Sequence, residues 1–139
     1  MSLNAPKRLL FVCIENSNRS QMAEAFARLV GGDRVEAYSA GSRPSGRVNP
    51  RAIEAMREVG CDLSAHRSKS LSEIPEGTYD AVVSMGCGEA CPYVRTRLRE
   101  DWQVPDPKDM DPNRFAEVRD QIRAEVEALL GRILSPVGS

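Results

Sequence analysis

Residues 7–30 read KRLLFVCIENSNRSQMAEAFARLV. Lys7 to Val12 is a short apolar run, the pattern of a buried strand, and it gives way to a polar loop from Cys13 to Ser20. Ser20 then stands as a candidate cap for a helix over Gln21 to Val30, in which Met22, Ala25, Phe26 and Leu29 recur at helical spacing. Gly31 and Gly32 stop that helix. A strand, a loop and a helix in this order form the first half of a βαβ unit, and the rest of the chain repeats the alternation.

Working outward, Val35 to Ser39 reads as a second strand, followed by a Gly/Pro/Ser loop from Gly41 to Val48. Asn49-Pro50 is a cap with proline in the first turn, opening a helix to about Val59 that Gly60 closes. Tyr79 to Met85 is a third strand, and Trp102 to Val104 a short fourth before the Pro105-Asp106-Pro107 turn. Phe115 to Leu130 is the last helix, with Phe115, Val118, Ile122, Val126 and Leu129 on one stripe. The expected fold is α/β: a single-domain three-layer arrangement, with a four-stranded parallel sheet flanked by helices and a ligand at the carboxyl ends of the strands. With no internal repeat or linker, the domain is 1–139, its ends 1–6 and 135–139 being flexible.

The bulk numbers fit one soluble domain. The chain has 139 residues, 28% charged and 41% hydrophobic. A net charge of -1 gives no field drawing it to nucleic acid or an anionic membrane. No apolar run approaches the roughly eighteen residues that span a bilayer. Met1 to Pro6 lacks the basic-then-apolar pattern of an export signal, so the cytoplasm is the expected location; a monomer is the expected state. Cys13, Cys61, Cys87 and Cys91 are then expected as reduced thiols.

The loop Cys13-Ile14-Glu15-Asn16-Ser17-Asn18-Arg19-Ser20 carries the chemistry. A tight loop entering a helix aims successive backbone N–H groups inward and makes a cradle for an oxyanion. Arg19 clamps two oxygens of such a ligand, and Cys13 sits at the floor, where the helix N-terminus and the guanidinium favour thiolate. Ser20 adds a hydroxyl hydrogen bond to that thiolate. Asn16 tolerates a left-handed backbone and braces the loop through its amide. Glu15 is anomalous, because a carboxylate beside the cradle opposes both thiolate and dianion. The alternative for Cys13 and Arg19 is a buried strand end and a surface cation, which neglects the strand, the helix and the Arg-Ser ending occurring together.

Displacement at a tetrahedral oxyanion needs a proton for the departing oxygen. Asp106 is either that acid or merely the start of a turn, and Asp109 and Asp111 are its rivals. His66, the single histidine, is a pH-tuning group or a satisfied core histidine. Cys61 reads as a small core hydrophobe. Arg95, Arg97 and Arg99 alternate as a solvated face or as a guide for an acidic partner protein. Cys87 and Cys91, with only His66 elsewhere, are too few ligands for zinc, and no metal is expected.

The run CIENSNRSQMAEAFA resembles the anion loop and first helix of the low-molecular-weight protein tyrosine phosphatase superfamily, and within it the thiol-coupled arsenate reductases. The likeness continues through YSAGS at 38–42, VNPRAIEAMREVG at 48–60, DLSAHRSK at 62–69, YDAVVSM at 79–85, EDWQVPDP at 100–107 and RFAEVRDQI at 114–122. The resemblance implies that Cys13 is the nucleophile, Arg19 the oxyanion clamp and Asp106 the general acid. It also implies that Cys87 and Cys91 relay the oxidation as a redox-active disulfide, so that arsenate is reduced to arsenite in arsenic detoxification. No bound cofactor is implied. Thioredoxin, or mycothiol or glutathione with a glutaredoxin-type partner, resets the enzyme, and phosphate and sulfate compete with arsenate. The three residues between Cys87 and Cys91 are fewer than thioredoxin-coupled members usually have, and the Gly-Cys-Gly pattern resembles members served by a small thiol. Some members bind potassium at positions matching Asn16, Glu24 and Ser39 plus an acidic residue. Lys69 stands at the fourth position here, which implies no potassium dependence. The alternative is a tyrosine or arginine phosphatase using Cys13, Arg19 and Asp106 alone, although Lys108-Asp109-Met110 offers no aromatic wall for an aryl phosphate. A third reading is a non-catalytic oxyanion sensor.

Overall fold

The computed structural model describes residues 5–86 and 94–134. Residues 1–4 and 135–139 of the expected flexible ends, together with Cys87 and Cys91, lie outside the described residues. Its elements follow the order β1 (Lys7–Cys13), α1 (Arg19–Gly31), β2 (Val35–Gly41), α2 (Pro50–Arg57), β3 (Tyr79–Ser84), β4 (Thr96–Asp101) and α3 (Pro112–Ile133). The four strands form one parallel sheet in the order β2-β1-β3-β4. This is the α/β class expected from the alternation of patterns.

β1 is central and has neighbours on both edges, so both of its faces need covering, and Leu9 to Cys13 are all buried. Leu9, Phe11 and Cys13 turn into a core shared with α1, α2 and α3; Leu10 and Val12 turn to the opposite face, where Tyr79, Val82 and Ile74 meet them. On that second side the helical cover among the described residues is a short 310 turn, Leu71–Glu73. The chain passes from β1 through α1 to β2 on one side and later returns to β3 on the other. Cys13 therefore ends at the point where the strand order reverses, the position at which α/β sheets open a ligand crevice.

α2 starts as its sequence dictates, and α3 starts at Pro112, three residues ahead of the expected Phe115, because Asp111 caps it. The Asn49 and Asp111 side chains accept the backbone N–H of Arg51 and Arg114, and each is followed by proline. One strand differs from expectation. β4 spans Thr96–Asp101 rather than Trp102 to Val104, and the Trp102 N–H merely extends its ladder to the Ser84 carbonyl at 2.9 Å. As an edge strand β4 presents Arg97, Arg99 and Asp101 outward and half-buries Thr96, Leu98 and Glu100. An apolar-run criterion passes over such a strand, since charge on an edge is how sheets avoid pairing with other chains. No described helix is long and apolar enough to cross a membrane.

Candidate active site

β1 ends at Cys13 and α1 begins at Arg19, so the intervening residues must turn the chain from sheet to helix. The turn is held from outside. Backbone N–H groups of Ser42, Arg43, Ser45 and Asn49 donate to the carbonyls of Cys13, Ile14, Glu15 and Ser17 at 2.7 to 3.2 Å. Ser68 Oγ adds a second bond to the Glu15 carbonyl at 2.7 Å. With the carbonyls engaged outward, none of the backbone N–H groups from Glu15 to Asn18 meets an acceptor among the described residues. That is the electrostatic character of an anion nest. Gly41 lets the outer segment approach this closely, because a Cβ there would lie 2.7 Å from the Ile14 carbonyl oxygen.

Asn16 has φ 52°, the one positive φ at a non-glycine among the described residues. Its amide repays that conformation with three contacts: Nδ2 donates to Ser20 Oγ at 2.8 Å, while Oδ1 accepts from Gln21 Nε2 at 2.9 Å and the Lys69 N–H at 3.0 Å. Ser20 Oγ lies 2.8 Å from Cys13 Sγ. Having accepted from Asn16, the hydroxyl is free to turn its own proton to the sulfur. Ser20 itself lies within α1, and the N-cap position is Asn18.

Cys13 is 3% exposed and Arg19 6%. The guanidinium turns inward: Nη1 donates to the Val104 carbonyl at 3.1 Å, and Nη2 lies 3.9 Å from Asp106 Oδ2. Gly86, at φ 80°, packs against it so tightly that a Cβ there would collide with Nη1. Of the three aspartates, Asp106 is therefore the one set against Arg19. Asp111 is occupied in capping α3, and Asp109 lines the rim of the cleft. A cleft of about 430 Å³ beside the loop is walled by Glu15, Ser17, Asn18, Arg47, Arg51 and Lys108 among others, with no aromatic side chain among the described residues of its lining.

Behind the loop is a second polar layer. The buried Glu24 carboxylate accepts from Ser39 Oγ at 2.5 Å and pairs with Arg28 at 2.8 Å; Lys69 Nζ lies 3.7 Å away and His66 Nδ1 4.0 Å. The potassium positions implied by resemblance, Asn16, Glu24, Ser39 and Lys69, do not fit a cation. The Lys69 ammonium, also 3.4 Å from Ser39 Oγ, already supplies positive charge there. Burial holds Lys69 below its ordinary value, opposed by Glu24. Gln21 joins this layer to the loop. Its amide nitrogen faces the Asn16 and Arg67 carbonyls and Asn16 Oδ1, which fixes its orientation; its oxygen then faces His66 Nδ1 at 2.9 Å, so that nitrogen must carry the proton. Burial pushes His66 below its ordinary value, Glu24 and Asp62 opposing, Arg28 and Lys69 reinforcing.

Cys61 is buried in the core, and burial pushes its thiol up, as befits an inert hydrophobe. Among the described residues no group of His, Cys, Asp and Glu is arranged to hold a metal. The sequence reading did not assign roles to Gln21, Gly41 or Ser68, whose partners are distant in sequence, nor to the contact of Gly86 with Arg19.

With this geometry in view, residues 8–136 match the model of the low molecular weight phosphotyrosine protein phosphatases. The chain belongs to that family. It is 41% identical to the glutaredoxin arsenate reductase of Synechocystis sp. over 91% of its length and 98% of that protein's. A solved arsenate reductase in a phosphate-binding state superposes with a TM-score of 0.84 at 41% identity, covering 91% of this chain and 98% of that one. The thioredoxin-dependent arsenate reductase of Corynebacterium glutamicum superposes at 0.77 with 27% identity, covering 96% of this chain and 64% of that one.

Three outcomes follow from the site. Gly86→Ala weakens binding of inorganic phosphate, read by calorimetry, by at least about tenfold, the scale of a displaced charge-assisted hydrogen bond; unchanged affinity would show that Arg19 does not depend on this packing. A depressed His66 means that the unfolded chain takes up the proton first. Its contribution to stability is complete above the ordinary value of about 6.5 and is lost as pH falls through the lower folded value. His66→Asn, whose amide nitrogen replaces Nδ1–H, should flatten the melting temperature against pH between about 7 and 5. Finally, potassium exchanged for sodium at equal ionic strength leaves both melting temperature and activity unmoved.

Proposed function

We propose that this chain reduces arsenate to arsenite in the cytoplasm, through Cys13 and a thiol relay. The observation carrying the proposal is a cysteine sulfur at the floor of an amide-lined loop, 2.8 Å from a serine hydroxyl, with an inward-turned arginine against a carboxylate at the mouth. The dianion sits on the Glu15 to Asn18 amides and Arg19. The Cys13 thiolate attacks arsenic, an S–As bond forms, and the opposite oxygen leaves as water with the proton of Asp106. A proton shared between dianion and carboxyl relieves their like-charge repulsion, which places it where the departing oxygen needs it.

Cys87 then attacks the Cys13 sulfur. The S–As electron pair stays on arsenic, which leaves as arsenite, and a Cys13–Cys87 disulfide forms. Cys91 attacks Cys87, freeing Cys13 and leaving a Cys87–Cys91 disulfide that two electrons from an external thiol reduce. Two facts support reduction over phosphoester hydrolysis: relatives 41% identical carry the name arsenate reductase, and among the described residues the cleft beside the loop has no aromatic side chain to flank an aryl phosphate. The reductant we favour is a small thiol with a glutaredoxin-type partner. The short Cys87 to Cys91 spacing and the glutaredoxin in the Synechocystis relative's name point to it, over the thioredoxin in the Corynebacterium name.

The relay is read by cysteine replacement. Cys13→Ser abolishes turnover, Cys87→Ser stops arsenite release while leaving slow aryl-phosphate hydrolysis intact, and Cys91→Ser stops after a single turnover with a Cys13–Cys87 disulfide visible by peptide mass mapping. A phosphatase would be indifferent to the last two changes. Multiple turnovers of arsenate by Cys87→Ser would end the relay proposal. Side-by-side assays with glutathione and glutaredoxin against thioredoxin and its reductase identify the donor.

A further inference from the structure

Glu15 sits two residues beyond Cys13, where its charge opposes both the thiolate and an incoming dianion. It has a partner on the far wall of the cleft: Lys108 Nζ lies 3.3 Å from Glu15 Oε2. Lys108 belongs to the turn that carries the acid, and its backbone N–H donates to Asp106 Oδ1 at 3.1 Å. A continuous path thus runs from the anion loop through Glu15 and Lys108 to Asp106, whose other oxygen faces Arg19. A second tie holds the same turn, Arg51 Nη1 to the Met110 carbonyl at 2.7 Å. The Glu15 and Lys108 side chains are 39% and 55% exposed, a setting in which ion pairs contribute little to stability and exchange partners readily. The Glu15 hydrogen bond raises Lys108 above its ordinary value, so the ammonium stays charged wherever the enzyme works.

We infer that Lys108 is a positioning residue: paired with Glu15, it draws the Asp106 turn over the anion loop and cancels the one carboxylate in that loop. The inference rests on the reading of Asp106 as the general acid. It explains how an acidic residue is tolerated beside a cradle for dianions, since the charge serves as the near-side attachment for the turn. It also separates two effects that a bland surface pair would not produce. Neutralising Glu15 removes repulsion, which lowers KM, and unties the turn, which lowers kcat. Neutralising Lys108 leaves Glu15 uncompensated, which raises KM, and unties the turn equally. Charge screening alone would change KM and spare kcat.

The test compares Glu15→Gln, Lys108→Gln, Lys108→Arg, the Glu15→Gln/Lys108→Gln pair and Asp106→Asn in arsenate reduction at saturating reductant, with single-turnover rates to isolate chemistry. Both single neutralisations should lower kcat by about threefold to tenfold, with KM moving in opposite directions and melting temperatures unchanged. The double variant should be no slower than the worse single, and Lys108→Arg should keep most of the rate. Asp106→Asn should lose about a hundredfold. If Asp106→Asn is nearly as fast as the parent, the acid assignment fails and this inference with it. If it is slow while Glu15→Gln and Lys108→Gln keep the parent kcat, or if Lys108→Arg is as slow as Lys108→Gln, the tie alone is overturned.

Discussion

A peptide group cannot aim its N–H inward without aiming its C=O outward, and an outward carbonyl that is buried needs a donor. The anion loop exists because the segment after β2 supplies those donors. Ser42, Arg43, Ser45 and Asn49 take the carbonyls of four loop residues by backbone alone, so the arrangement asks little of side-chain identity in that segment. It does require Gly41, without which the two backbones could not come together. The left-handed turn at Asn16 reverses the direction of the amides, and its side chain secures the reversal from both ends. Once these are in place, Cys13 needs only to end a central strand to lie at the start of the amide-lined loop.

The layer behind the loop meets a different requirement. Glu24 is buried, and a buried carboxylate left unpaired is strongly destabilising. Arg28, Ser39 and Lys69 surround it with donors and positive charge. Because Lys69 is covalently part of the chain and its own N–H binds Asn16 Oδ1, the cation that compensates Glu24 also sets the loop's reversed residue. Gln21 links the same layer to His66, so charge behind the loop and geometry within it are one connected unit.

How much of this was legible in the sequence depends on whether the signal is local. Cys13, Asn16, Arg19 and Ser20 lie within eight consecutive residues, and strand-to-helix continuity constrains their mutual placement, so their residue types suffice to point to a candidate cradle. The buried core strands and the proline-followed caps at Asn49 and Asp111 obey short-range rules too, although the sequence around Asp111 reads equally as that of a rival acid. β4 was misplaced because an edge strand need bury only one side chain in two, and its charges resemble any solvated segment. The contacts between Gln21 and Arg67, Ser68 and Glu15, and Lys108 and Glu15 span 46, 53 and 93 residues. No spacing rule reaches across such separations; only the packed chain brings them together.

Gly86 is constrained by Arg19. The guanidinium of Arg19 occupies the space that any side chain at 86 would need, so the end of β3 must pass the clamp as bare backbone. The next residue in the chain is Cys87. The residue that makes room for the arginine is therefore the one directly before Cys87 in the sequence. A side chain introduced at 86 would meet the Arg19 guanidinium, whereas the Cys13 sulfur is held through Ser20 and Asn16. The site is thus divided. The contacts to the Cys13 sulfur come from α1 and the loop before it, while Gly86, Val104 and Asp106 meet around Arg19.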